Sequence, residues 1–104
     1  MYKARGKGKD TGISFPALHS WNPMTHVATI AAEVSGRRVL CRISSEDLEK
    51  SFGPSDEDPM RLVVENRRTI EAAAKKLIES GVWKETGSVV VGSRELASAR
   101  KGAD

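Results

Sequence analysis

Two runs of β-forming residues on either side of a two-residue turn constrain the fold more than any other feature of this chain. The runs cover residues 27–34 and 37–43, and the residues between them are Ser35 and Gly36. This spacing is typical of an antiparallel hairpin with a tight turn. Because side chains on a strand alternate between the two faces of a sheet, a slip of one residue would turn the apolar side chains to solvent. The sequence therefore predicts both the hairpin and its register.

In that register Val34 lies opposite Arg37, next to the turn. Glu33 then lies opposite Arg38 on the polar face, where a charge pair stabilises the same alignment by about 0.2–1 kcal/mol. The polar face also pairs Thr29 with Arg42 and Ala31 with Leu40, and the apolar face pairs Ala32 with Val39, Ile30 with Cys41 and Ala28 with Ile43.

The remaining elements are predicted from strand, cap and breaker signals. Ile13-Ser14-Phe15 before Pro16 indicates a short edge strand, residues 88–91 a last strand, and residues 19–24 an irregular stretch. Serines and acids at 44–47 begin a short helix over residues 45–51. We therefore expect an α+β fold, in which a small antiparallel sheet of edge strand, hairpin and late strand packs on one short and one long helix.

The long helix is predicted from Pro59, with Asp58 as its N-cap, to Ser80, with Gly81 as the residue after its end. At about 100° per residue, one side of this helix is apolar and the other carries the charges. The apolar stripe consists of Val63, Ile70, Ala74 and Leu77.

The length of 104 residues is room for one domain. Residues 1–12 are basic, rich in glycine and almost without apolar side chains, so we predict a flexible arm there, a single α+β domain over 13–96 and a disordered tail over 97–104. The single cysteine excludes an intrachain disulfide. A reducing compartment is then the simplest setting. The short apolar runs predict neither a membrane span nor a signal peptide.

The formal net charge of +3 belongs mainly to the ends of the chain. The first twelve residues hold four basic residues against one acidic residue, whereas the middle of the chain is close to neutral. A basic pI indicates nucleic-acid binding only where it describes the folded domain. The charge balance is therefore a weak indication of a nucleic-acid partner.

No group of residues has the pattern of a catalytic or metal site. Cys41 lies on the predicted apolar face, where cysteine packs as a small apolar residue, with a reactive thiol as the alternative. His19 and His26 lack the spacing of zinc ligands. The glycine- and lysine-rich segment 6–12 lacks the strand–loop–helix context of a phosphate-binding loop. We expect no enzyme activity, no metal and no cofactor.

Asn66 and Arg67 are the most unusual polar residues, because Asn66 lies within the apolar stripe of the long helix. A polar pair there destabilises the fold unless its hydrogen bonds are satisfied. One interpretation is structural: Asn66 bonds an exposed backbone edge or loop, and Arg67 pairs with Glu71 four residues on. The other is functional, a contact with a ligand or partner where helix meets sheet.

A second set of candidate binding residues is basic. The hairpin arginines could meet phosphates if they share one side of the fold, and the lysines of the arm could add diffuse positive charge. Interleaved acids favour an ordinary salt-bridged surface, and few aromatic residues are free for base stacking. The candidates are Arg37, Arg38, Arg42, Lys7 and Lys9.

Several segments together resemble a known family. They are 36–44 (GRRVLCRIS), the acidic short helix ending in Phe52-Gly53, Glu65-Asn66-Arg67 with Ile70-Glu71, and 87–91 (GSVVV). With the opening 13–16 (ISFP), they resemble the short bacterial proteins catalogued as domain of unknown function fourteen-eighty-eight, over about Ile13 to Leu96. Val63 stands where that pattern often has an aromatic residue, and the lysine-rich arm is additional.

The resemblance implies a compact α+β fold with a curled antiparallel sheet on helices, a bacterial origin and a cytoplasmic setting, but no activity. We expect a non-enzymatic interaction module that binds a macromolecular partner or a second copy of itself, away from membranes. The alternative is a nucleic-acid-associated protein that uses the basic arm and the hairpin arginines. A small-molecule site at Asn66 and Arg67 is a third hypothesis.

Overall fold

The computed structural model of this chain describes residues 12–54 and 58–102 and has an α+β fold. Most of the predicted arm lies outside the described residues. The strands are β1 (Ile13–Ser14), β2 (His19–Asn22), β3 (Val27–Val34), β4 (Arg37–Ser44) and β5 (Ser88–Val90). The helices are α1 (Ser45–Phe52), α2 (Pro59–Glu65), α3 (Arg67–Glu79) and α4 (Ser93–Gly102), with a 3₁₀ turn at Val82–Lys84.

The β3–β4 hairpin confirms the predicted register at every pair. Both turn residues have positive φ, 51° at Ser35 and 86° at Gly36, as a tight hairpin turn of this hand requires. The Arg38 guanidinium donates a hydrogen bond to the Glu33 carboxylate at 2.9 Å. The hairpin is thus held by backbone geometry, apolar alternation and one cross-strand ion pair.

The edge of the sheet beside β3 differs in part from the prediction. β1 pairs with β3 as an edge strand, as expected, but the stretch predicted as irregular contains β2, which pairs with β3 at the same edge. The Asn22 side-chain oxygen accepts from the Met24 N–H at 2.9 Å and organises the turn into β3. This local bond lets Trp21 lie opposite Ala28, where it packs against the core.

The sheet is mostly antiparallel, as predicted, but the last strand is parallel to its neighbour. β5 pairs with β4, and Val89 lies beside Cys41. α1, α2 and α3 lie between β4 and β5 in the chain. A crossover of that length can carry the chain back to the end of the sheet at which β4 began, so that the next strand runs in the same direction.

The predicted helix caps are confirmed. The Ser44 hydroxyl accepts from the Asp47 N–H at 3.1 Å, and the Asp58 carboxylate accepts from the Met60 N–H at 3.1 Å. Gly81 follows α3 with a φ of 87°, a conformation that favours glycine.

The single long helix predicted over residues 59–80 is wrong. α2 ends at Glu65, and Asn66 has φ −117° and ψ 24°, which lie outside the helical region. Its amide Nδ2 donates to the Leu62 carbonyl at 2.9 Å, and its backbone N–H donates to the same carbonyl at 3.0 Å. An asparagine side chain that bonds the local backbone in this way competes with continued helix.

The disordered tail predicted for residues 97–104 is also wrong up to residue 102, since α4 runs to Gly102. Leu96 is 0% exposed and Ala99 is 3% exposed. The Glu95 carboxylate accepts from the Gly92 N–H at 3.0 Å and so caps the start of the helix. A helix of this length is stabilised chiefly by packing, which a polar local sequence does not reveal.

The core lies between one face of the sheet and all four described helices. Ile30, Cys41 and Ile43 supply the sheet side of this cluster and are fully buried. The helix side includes Leu48 of α1, Val63 of α2, Ile70 of α3 and Leu96 of α4. No helix in the described part of the chain is long and apolar enough to cross a lipid bilayer.

Candidate functional site

The break between α2 and α3 positions the Arg67 guanidinium against the segment that joins β1 and β2. Its Nε donates to the Glu71 carboxylate at 2.7 Å, and its Nη2 donates to the Pro16 carbonyl at 2.8 Å. The predicted pairing of Arg67 with Glu71 is therefore confirmed. Both side chains are largely buried, with 20% and 30% of their surface exposed. Arg67 thus ties α3 to a loop 51 residues earlier in the chain.

A shallow groove of about 230 Å³ runs beside this ion pair. Arg67 and Glu71 satisfy each other at its base, so the groove presents little uncompensated charge. Val64 is 58% exposed on its helical wall. The groove can therefore offer a ligand mainly apolar contacts. The other lining residues are Phe15, Ala17 and His19.

Asn66 differs in detail from the structural interpretation. Its side chain bonds the α2 backbone rather than a sheet edge or loop. Asn66 therefore affects the site only indirectly. Because α2 ends here, Arg67 becomes the first residue of α3, and the break fixes the position from which its side chain extends.

Cys41 lies in the core opposite Ile30 and is 0% exposed. Burial raises the pKa of its thiol from 9.0 to about 11, and the positive charge of Arg67 acts in the opposite direction without cancelling that effect. The reactive species of cysteine is the thiolate. Cys41 is therefore held in its unreactive thiol form at neutral pH.

This raised pKa predicts a pH-dependent stability. A folded-state pKa above the ordinary value favours the fold below about pH 9, and this contribution is lost as the pH rises through about 11. The free energy of unfolding of the wild type, minus that of Cys41→Ala, is expected to fall by on the order of 2 kcal/mol across that window. Urea denaturation of both proteins at several pH values measures the difference. Parallel pH profiles would contradict it.

The hairpin arginines do not form one cluster. The Arg37 guanidinium lies over the Trp83 ring, 5.3 Å from its centroid. Arg38 is paired with Glu33. Arg42 is exposed and forms no side-chain hydrogen bond or ion pair with another described residue. Lys7 and Lys9 lie outside the described residues.

Arg67 lies on the helical side of the sheet, whereas Arg38 and Arg42 lie on the face opposite the core. We call this second face, which no described helix covers, the open face. It has two depressions of about 170 and 490 Å³, lined mainly by strand residues. Leu18 and Val90 are 48% and 69% exposed. β3 and β4 contribute Val27, Thr29, Ala31, Arg38, Leu40 and Arg42 to the open face.

Within residues 12–54 and 58–102, no group of three or more histidine, cysteine or acidic side chains is placed to hold a metal ion. His19 and His26 are both exposed. The ring of His26 instead packs edge-on against Trp21, with 6.0 Å between the ring centroids.

The model of a family described as "Protein of unknown function (DUF1488)" matches residues 13–91. The chain belongs to the DUF1488 family. The resemblance read from the sequence is thereby confirmed. The matched region contains all five described strands and α1 to α3, and it ends before α4 begins.

The fold is similar to that of a solved DUF1488 protein. A crystal structure of a family member of unknown function from Shewanella loihica PV-4 superposes with a TM-score of 0.70 and 24% sequence identity. The similarity covers 79% of this chain and 93% of that chain, and at this identity it shows the fold alone. Among curated proteins, none matches this chain.

Sequence reasoning missed one basic site of this DUF1488 family member. A cleft between α1 and α4 is lined by Lys50, Ser51, Arg94 and Arg100. It was hidden because residues 97–104 were predicted to be disordered. The signals that could have revealed α4 are Glu95, three residues after the capping position Gly92, and the spacing of Leu96 and Ala99 on one helical face.

Proposed function

We propose that this DUF1488 family member is a non-enzymatic interaction module that holds an acidic, partly apolar segment of a partner protein on its open face. The observation that carries the proposal is Arg42, a cation without a partner among the described residues. In the sheet register it lies beside Val90, and Leu40 lies two residues away on the same face. A carboxylate bound at Arg42 would gain an ion pair, and the adjacent apolar side chains would lose contact with water.

Two features support binding rather than catalysis. The buried Cys41 is held as a thiol, and Arg67 and Glu71 satisfy each other. A single thiol without a disulfide partner suits the reducing cytoplasm, where we place this protein.

A protein partner fits the open face better than nucleic acid or a second copy does. Binding of single strands relies on exposed aromatic rings, and Trp21 packs on the core side of the sheet. A two-fold dimer through this face brings identical surfaces together, and Glu33 is the only acidic residue in β3 and β4. Each copy would then bring an excess of positive charge to the interface.

The test selects peptides from a random displayed library on the purified full chain. We expect the enriched peptides to combine Asp or Glu with Leu, Ile or Phe. A synthetic peptide of the enriched sequence should shift amide resonances of β3 and β4. The charge reversal Arg42→Glu is expected to weaken its binding about tenfold or more, because it replaces an attraction with a repulsion.

Arg68→Glu is the matched control, because Arg68 is an exposed arginine on α3, on the helical side. It should bind the peptide like the wild type, and both variants should keep wild-type stability to within about 0.5 kcal/mol. Enriched peptides without acids, or equal losses in the two variants, would contradict the proposal. If an oligo(dT) bound the open face more tightly than any peptide, the partner would be a nucleic acid and not a protein.

A further inference from the structure

The cleft between α1 and α4 lies on the helical side of the fold and is separate from the open face. Its volume is about 380 Å³, within the range of small-molecule sites. The residues that line it are mostly cations and hydroxyls: Lys50, Ser51, Ser93, Arg94 and Arg100.

Three positively charged side chains meet at this cleft, and only Lys50 forms an ion pair with a described residue. Lys50 has Glu46 at 3.8 Å, and both side chains are more than half exposed. Arg94 forms no side-chain hydrogen bond or ion pair with another described residue. The carboxylate of Glu95 is engaged at the N–H of Gly92. The cleft therefore has a surplus of positive charge.

Arg100 is held in place by the body of the protein. Its Nη1 donates to the Ser51 carbonyl at 2.7 Å, and its guanidinium lies 5.9 Å from the centroid of the Phe52 ring. One bond of this kind leaves further N–H donors of the guanidinium available. An arginine positioned in advance loses less side-chain entropy when it binds an anion.

Ser51 supplies an independent observation. Its hydroxyl oxygen is buried and has no hydrogen-bond partner among the described residues. A buried hydroxyl without a partner costs free energy, and folded proteins rarely keep one. Ser51 also lines the cleft, so rotation of this hydroxyl toward the cleft would give it a bound anion as its acceptor.

We propose that the α1–α4 cleft binds the phosphate group of a small phosphorylated molecule. A phosphate monoester carries up to two negative charges and three terminal oxygens, which suits several cations and a hydroxyl better than a single carboxylate does. The remaining volume leaves room for a compact organic part. This proposal does not depend on the peptide-binding function of the open face.

The experiment titrates the full chain with glycerol 3-phosphate and with inorganic phosphate at constant ionic strength, followed by amide-resolved NMR. Glycerol and an oligo(dT) are the comparison ligands. We expect both phosphate compounds to cause saturable shifts at residues 50–51 and 93–94, and glycerol to cause none. Saturation by oligo(dT) alone, or shifts that rise linearly with every anion, would overturn the proposal.

Two variants separate a bound phosphate from general attraction of anions. Arg94→Ala is expected to weaken glycerol 3-phosphate binding about tenfold, whereas Arg68→Ala, which removes the same charge elsewhere, leaves it unchanged. Ser51→Ala is expected to weaken binding several-fold while thermal stability without ligand stays equal or rises, since it removes an unpartnered buried hydroxyl. Equal effects of Arg94→Ala and Arg68→Ala, or unchanged binding in Ser51→Ala, would refute the site.

Discussion

Replacing Leu96 with alanine is expected to lower the free energy of unfolding by about 2–5 kcal/mol. Leu96 is fully buried on α4 and belongs to the same apolar cluster as Leu48 and Ile70. The shorter side chain leaves a cavity between α4 and the rest of the core. Because a domain of this size is stable by only about 5–15 kcal/mol, the loss is a large fraction of the total. Urea denaturation followed by circular dichroism measures it.

Ser98→Ala is the matched control for this variant, because Ser98 is an exposed position on the same helix. It should change the stability by no more than about 0.5 kcal/mol. If Leu96→Ala were as harmless as Ser98→Ala, α4 would not be part of the folded core. The α1–α4 cleft would then lose one of its walls, so this measurement also bears on the proposal that the cleft binds a phosphate group.

The features that could be predicted from the sequence are those that depend on neighbouring residues. The β3–β4 register follows from a period of two over a short hairpin, and both partners of each pair lie in one continuous stretch of chain. The caps at Ser44 and Asp58 act within two or three residues. The Arg67–Glu71 pair follows from the spacing of one helical turn.

The predictions that were wrong concern features that depend on contacts between distant segments. The exception is the break at Asn66, where a side-chain hydrogen bond to the local backbone competes with continued helix. A single helical wheel through residue 66 assumes one unbroken helix, but the Asn66 side chain ends α2 and a second helix begins after it. Within α3, Ile78 at 3% exposure is more deeply buried than the predicted Leu77. The parallel direction of β5 and the docking of α4 depend on the completed core.

The residues of the candidate site also divide into those that a local pattern reveals and those that depend on distant contacts. Asn66 and Arg67 were found because a polar pair in an apolar stripe conflicts with the local pattern. The bond from Arg67 to the Pro16 carbonyl could not be predicted, because it joins residues 51 positions apart. The basic cleft was missed for a related reason: its two walls, α1 and α4, come from opposite halves of the chain.

Arg67→Ala is expected to lower the free energy of unfolding by about 2–4 kcal/mol. The substitution leaves the Pro16 carbonyl without its charged donor and the Glu71 side chain, which is only 30% exposed, without its partner. Arg61→Ala is the matched control, because it breaks an ion pair with Glu65 of the same spacing that is mostly exposed. Exposed pairs contribute about 0–1 kcal/mol, so the control should lose far less. Equal losses in urea denaturation would contradict the anchoring role of Arg67.

The double variant Arg67→Ala/Glu71→Ala separates the two contributions. Removing Glu71 as well removes the unpaired carboxylate, so the double variant is expected to be more stable than Arg67→Ala alone. The loss that persists is then due to the bond with Pro16, the only one of the two that connects α3 to the segment between β1 and β2. If the double variant were less stable than the single one, burial of an unpaired charge would not explain the effect. The stabilising contribution of Glu71 would then come from a contact other than Arg67.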